Sequence, residues 1–200
     1  MQVVRLENYN MDSKIILTDI DGVCLFWEKH FHEWMKRRGH NTAKPGIYDI
    51  HESYDFSKDR AEELVYEFNT SSYMIDVPPY LDAISGIGKL KENGYRFIAI
   101  TSVGGDYNTE RLRKINLEDH FGKNTFLDVI CIDGNKRVYL EPYKDRGLYW
   151  LEDLEKNAKL GLELGLKPLL MDHQYNKSCD IEGIIRVKNW AEICNIILTT

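Results

Sequence analysis

Two aspartates, Asp19 and Asp21, stand one residue apart at the end of the apolar run Ile15-Ile16-Leu17-Thr18 and are followed at once by Gly22. Side chains alternate in an extended chain, so both carboxylates would face the same side. Carboxylates held that close repel one another and require a proton or a cation between them. A surface Asp-Gly turn would give the same local pattern. The rest of the chain decides between the two.

Reactive residues recur at other strand ends. Thr101 and Ser102 follow Phe97-Ile98-Ala99-Ile100, and Glu152 and Asp153 follow Leu148-Tyr149-Trp150-Leu151. Lys144 lies one short segment before the latter strand. Ligands of open parallel sheets gather at the carboxyl ends of the strands, which would put all of these on one rim. Lys136, Lys156 and Lys159 compete with Lys144. Lys136 is farther from the strand and the other two follow Asp153 into the next helix, so Lys144 is preferred. Residues 172–176 end another strand and are a candidate lining of the rim, but His173, beside Asp172, reads as half of a local hydrogen-bonding pair and is kept out of the ligand set.

The elements needed to bring these ends together can be read from periodicity. Helical spacing predicts helices over 28–38, 58–69, 109–115 and 157–164, and a final one over 189–198. A further helix carries Leu81, Ile84, Ile87 and Leu90 as its buried stripe and ends at Asn93-Gly94. Residues 97–100, 129–132, 148–151, 168–171 and 184–187 read as strands, and Val3-Val4 as an edge strand in the polar lead-in. Residues 41–57, with Pro45-Gly46 and many Asp, Asn and Ser, read as loop. The expectation is an α/β fold: a doubly wound, Rossmann-like parallel sheet of about five or six strands. Residues 24–78 break the alternation with two helical patterns and no convincing strand. They are expected to form a small helical cap inserted after the first strand, over a core made of 1–23 and 79–200.

Composition narrows the partners. A net charge of −6 over 200 residues argues against a broad footprint for duplex nucleic acid and leaves room for a local pocket for one phosphate. The four cysteines are far apart with no CxxC or Cys/His ligand spacing, which fits reduced thiols and a cytoplasmic location. No apolar run has the length of a membrane span, and no signal-peptide pattern opens the chain. A homodimer is compatible with all of this, and the oligomeric state is left open.

With its motifs in this order, the chain resembles the haloacid dehalogenase-like hydrolase superfamily. Asp19-Ile20-Asp21-Gly22-Val23 looks like the first motif, Thr101 the second, Lys144 the third and Glu152-Asp153 the fourth. Within the superfamily it looks closest to the 5′(3′)-deoxyribonucleotidase group, on three features: the insertion after the first motif, Val77-Pro78-Pro79-Tyr80, and Asn189-Trp190-Ala191-Glu192-Ile193. The resemblance implies a Mg²⁺-dependent phosphomonoesterase acting on a small phosphorylated substrate, a deoxynucleotide in the closest group. It implies that Asp19 is the nucleophile and Asp21 the acid and base. Asp19, the Asp21 carbonyl and Asp153 would hold the metal, while Thr101, Ser102 and Lys144 would bind the phosphoryl group. Trp27, eight positions after the first aspartate, would face the nucleobase, with packing inside the cap as its other use. Glu152 stands where the group usually has aspartate and is expected to partner Lys144 or a metal-bound water. A phosphatase for another small phosphate or for a nucleic-acid 3′ end is the alternative enzyme. A non-catalytic nucleotide-binding protein is the alternative outside catalysis.

Overall fold

The first strand, β1 (Lys14–Thr18), is apolar on both faces because it lies in the middle of a sheet. The computed structural model describes residues 14–41, 44 and 46–199, so the Val3-Val4 expectation lies outside the described residues. Five more strands follow: β2 (Tyr95–Thr101), β3 (Phe126–Cys131), β4 (Tyr149–Glu152), β5 (Lys167–Met171) and β6 (Ile185–Val187). They form one six-stranded sheet in the order β3-β2-β1-β4-β5-β6, and every pairing is parallel. Order reverses on either side of β1, the kind of switch point where open α/β sheets bind ligands. Asp19 therefore leaves the sheet at that switch point.

Alternation builds two cores. Ile16, Phe97, Ala99 and Leu151 face one side, where α4 (Leu81–Glu92) and α8 (Trp190–Thr199) pack. Ile15, Leu17, Ile98, Ile100 and Trp150 face the other, against Leu160 and Leu164 around α7 (Glu155–Glu163). The buried face of α4 is Ala83, Gly86, Ile87 and Leu90, whereas Leu81 is 84% exposed. The expected stripe through Leu81 and Ile84 is rotated for a steric reason. Gly86 lies flush against Trp190, and a Cβ there would sit 2.8 Å from the indole's own Cβ. The fully buried Trp190 donates from Nε1 to the Val23 carbonyl at 2.9 Å, tying α8 to the loop that follows Asp21. Losing such a ring would cost about 3–5 kcal/mol.

Helices α1 (Trp27–Arg37), α2 (Ile50–Tyr54) and α3 (Lys58–Thr70) are inserted between β1 and α4. The short α2 corrects the reading of 41–57 as loop. Asp49 caps its start and Asp55, in the left-handed region, ends it, so turn-forming residues bracket one helical turn. The insertion leaves and rejoins the core through two adjacent segments. Phe26 N–H donates to the Pro78 carbonyl and Tyr80 N–H to the Cys24 carbonyl, both at 2.9 Å. Its exit is gripped by α5 (Tyr107–Phe121): Asn108 donates to the Thr70 carbonyl, and Asn116 to those of Ile75 and Val77. No described helix is long and apolar enough to cross a membrane.

Candidate active site

Beyond β1 the chain closes a tight loop in which the N–H groups of Cys24 and Leu25 both donate to the Ile20 carbonyl. Gly22 takes φ +76°, a left-handed value that favours glycine, and its Cα lies against the Asp153 carboxylate, leaving no space for a Cβ. This loop and the ends of β2 and β4 open into a cleft of about 1270 Å³. Asp19, Asp21, Thr101, Ser102, Lys136 and Asp153 line it from the core, and Trp27, Tyr48 and Asn69 from the insertion.

Asp19 is held at both oxygens. Its Oδ1 accepts from the Ile20 N–H at 2.7 Å, and its Oδ2 lies 2.5 Å from Lys136 Nζ. Lys136 is fully buried and also reaches Glu152 Oε1 at 2.6 Å. Burial pulls its ammonium down, but Asp19 and Glu152 more than reverse this and keep it charged. Lys144, by contrast, is exposed and does not line the cleft. The lysine at the site is therefore Lys136, not the expected Lys144. The segment between them coils into α6 (Arg137–Leu140) and a 3₁₀ turn at Glu141–Tyr143, which carries Lys144 to the surface. Distance along the chain misjudged distance in space.

Glu152 is saturated. Its Oε1 accepts from Lys136 and from Asn157 Nδ2, its Oε2 from the N–H groups of Asp153 and Leu154. Burial pushes its carboxyl up, but Lys136 and the Leu154 N–H prevail and hold it below the usual range. One side chain thus braces the lysine and the turn that leads from β4 into α7.

The neighbouring acids shift the other way. Burial raises Asp19 to about 7 despite Lys136, and burial with the Glu152 and Asp19 charges raises Asp153 well above the carboxylate range. Asp21 is also raised by burial, partly offset by Arg113, whose Nη2 lies 2.8 and 2.7 Å from its two oxygens. Four carboxylates face two cations here, an excess of two negative charges. Asp19, Glu152 and Asp153 each offer an oxygen within 4.8 Å of the others. This cluster could hold a metal ion, and a hard divalent cation suits an all-oxygen donor set. With Glu152 committed to its four donors, Asp19 and Asp153 are the better ligands.

The remaining expectations divide. Thr101 is fully buried in the cleft lining, and its Oγ1 has no partner among the described residues. A buried hydroxyl without a partner is costly and suits a ligand oxygen. Ser102 is exposed and donates to the Gly134 carbonyl at 3.1 Å. Trp27 serves the cleft and the packing together. Its ring stacks on Phe31 at 4.8 Å, and its Nε1 donates to Asn69 Oδ1 at 2.8 Å. Asn69 in turn donates to the Val103 carbonyl, two residues beyond Thr101.

Sequence reasoning missed Arg113; it placed residues 172–176 on the rim, where His173 and Tyr175 do line the cleft, but not their contacts with Gly22 and Asp153. Arg113 did have a signal: the buried face of α5 is Thr109, Leu112, Arg113, Asn116 and Leu117, a helical spacing occupied largely by polar types. His173 does not pair with Asp172, which binds Arg186; its Nε2 meets the Gly22 carbonyl at 2.7 Å.

The chain is similar to known proteins over nearly its whole length. An uncharacterized 32.4 kDa protein from the Gp30-rIII intergenic region of Enterobacteria phage T4 is 25% identical over 193 residues, 90% of this chain and 68% of that one. A haloacid dehalogenase-like family hydrolase from Streptococcus pneumoniae superposes with a TM-score of 0.66 at 13% identity, covering 92% of this chain and 98% of that one. D,D-heptose 1,7-bisphosphate phosphatase from B. bronchiseptica, solved with magnesium and phosphate, gives a TM-score of 0.60 at 13% identity, covering 93% and 98%. These structures share the haloacid dehalogenase-like fold seen here. The model of one family matches residues 13–200, so the chain belongs to the 5′ nucleotidase, deoxy (pyrimidine), cytosolic type C protein family.

Proposed function

We propose that this protein is a Mg²⁺-dependent phosphomonoesterase that hydrolyses nucleoside monophosphates, deoxynucleotides foremost, through an aspartyl-phosphate. The observation that carries the reading is the buried Asp19–Lys136 pair beside Asp153, with the unpartnered Thr101 hydroxyl in the same cleft. The family match supports a nucleotide as substrate and a cytoplasmic location.

An Asp19 carboxylate oxygen attacks phosphorus, and the bond from phosphorus to the ester oxygen breaks. Asp21 gives its proton to the departing oxygen. It then takes a proton from the water that attacks the aspartyl-phosphate, releasing inorganic phosphate and restoring Asp19. The Thr101 hydroxyl donates to a phosphoryl oxygen, and the buried Lys136 ammonium stabilises charge developing there. Asp19, Asp153 and the Asp21 carbonyl would hold Mg²⁺, which would neutralise phosphate charge next to these carboxylates. Trp27 lines the cleft at the entry to the insertion, which acts as a cap, and would offer the part of its ring not packed on Phe31 and Phe68 to a base. Stacking there would contribute about 1–3 kcal/mol.

A phosphate-release screen over nucleoside monophosphates and sugar phosphates, with and without Mg²⁺, tests this reading. Metal-dependent release from deoxynucleotides is expected. Trp27→Ala should lose activity on nucleotides and retain it on small generic esters. Release from sugar phosphates alone would overturn the nucleotidase assignment.

A further inference from the structure

The turn that follows β5 reaches back across the cleft to two catalytic loops at once. Tyr175 Oη donates to Asp153 Oδ2, and His173 Nε2 meets the Gly22 carbonyl at 2.7 Å. A carbonyl only accepts, so this contact sets the tautomer with the proton on Nε2. The two rings stack with centroids 5.0 Å apart and planes inclined by 8°. Asn176, buried beneath them, donates from Nδ2 to the carbonyls of Asp153 and Met171, both at 2.7 Å, and its Oδ1 accepts from His173 N–H at 3.0 Å. Arg186 of β6 donates to the Asn176 carbonyl at 2.5 Å and anchors the turn to the sheet.

We propose that residues 173–176 form a clamp that orients Asp153 toward a divalent cation, with the Tyr175 hydroxyl as its positioning group. The proposal rests on the phosphatase reading above. Asp153 is held at three atoms: Glu152 Oε2 accepts its backbone N–H at 2.6 Å, Asn176 donates to its backbone carbonyl, and Tyr175 donates to its Oδ2. Gly22, held in place by His173, packs against it so tightly that a Cβ would overlap Oδ2. Tyr175 and Gly22 both meet Oδ2, which leaves Oδ1 for a cation shared with Asp19. Four residues remote from the first motif in sequence thus set the distance between two metal ligands. Partners of this kind fix ligand direction, and losing one typically weakens metal binding about 10–100-fold.

The test compares full-length wild type, Tyr175→Phe and Asp153→Asn by titration with Mn²⁺, following the free ion by electron paramagnetic resonance. Asp153→Asn should abolish tight binding. Tyr175→Phe should weaken it about 10–100-fold, while its melting temperature falls by no more than a few degrees. In turnover, the Mg²⁺ concentration for half-activation should rise by a similar factor, with kcat recovered at saturating Mg²⁺. An unchanged Mn²⁺ affinity in Tyr175→Phe overturns the clamp, as does a loss that tracks a collapse in melting temperature. Failure of the wild type to bind Mn²⁺ overturns it together with the metal site. Failure of the wild type to release phosphate overturns the phosphatase reading, and the Mn²⁺ comparison still decides the clamp.

Discussion

Arg113 Nη2 lies 2.8 and 2.7 Å from the two carboxylate oxygens of Asp21, while its Nε and Nη1 have no partner among the described residues. Arg113 is fully buried, so the Asp21 carboxylate, when it has given up its proton, is the anion that offsets that burial, and the arginine in turn fixes where the carboxyl group points. The same face of α5 grips the exit of the insertion through Asn116.

Removing one partner of this pair should therefore be worse than removing both. Asp21→Asn is expected to destabilise the protein by about 3 kcal/mol, because it leaves the fully buried Arg113 charge without its anion. Arg113→Met with Asp21→Asn should recover most of that loss. Urea denaturation of the two single variants and the double variant measures the coupling. Additive losses would show that the pair is energetically idle.

The lysines give a sharper contrast. Lys136→Met should lower kcat by about 10²–10³-fold, as for other donors aimed at developing negative charge. Lys144→Met should leave it unchanged, since Lys144 is exposed and outside the cleft. Steady-state kinetics on one nucleotide substrate separates the two. Equal losses would mean that the buried ion pair is structural.

Which parts of this site were legible in the chain follows from how local each signal is. Asp19, Asp21, Thr101 and Asp153 are found because an apolar strand ending in a polar residue is written in consecutive positions. Lys136 was passed over because its arrival depends on α6 and the 3₁₀ turn after it, eight positions in all from Lys136 to Lys144. Arg113 reaches the site through tertiary packing from α5, where no nearby motif marks it, whereas His173 and Tyr175 follow the end of β5, where the strand signal marks the rim but not their contacts with Gly22 and Asp153. The fold was read through the same alternation of strand and helix that produces its parallel sheet. The α4 stripe was misjudged because Ala83 and Gly86 are buried for being small, while the larger Leu81 faces solvent. Close packing against Trp190 outranked hydrophobicity there.

Glu152 accepts four hydrogen bonds and has no donor to offer. Glu152→Gln must point its amide N–H₂ at a pair of donors, whichever way it is turned. The expected cost is about 1–3 kcal/mol of stability, with Lys136 loosened and kcat reduced. Thermal unfolding together with kinetics checks this. A variant as stable and as active as wild type would show that these contacts contribute nothing.

The claim on which everything else rests is that Asp19 attacks phosphorus. Asp19→Asn preserves shape and removes the nucleophile, and phosphate release from a deoxynucleoside monophosphate with Mg²⁺ measures the consequence. Release at background level is expected in Asp19→Asn, and an acid-stable phosphoryl adduct that maps to Asp19 is expected when Asp21→Asn is quenched during reaction with an aryl phosphate, whose leaving group departs without a proton from Asp21. Wild-type release by Asp19→Asn would contradict the claim.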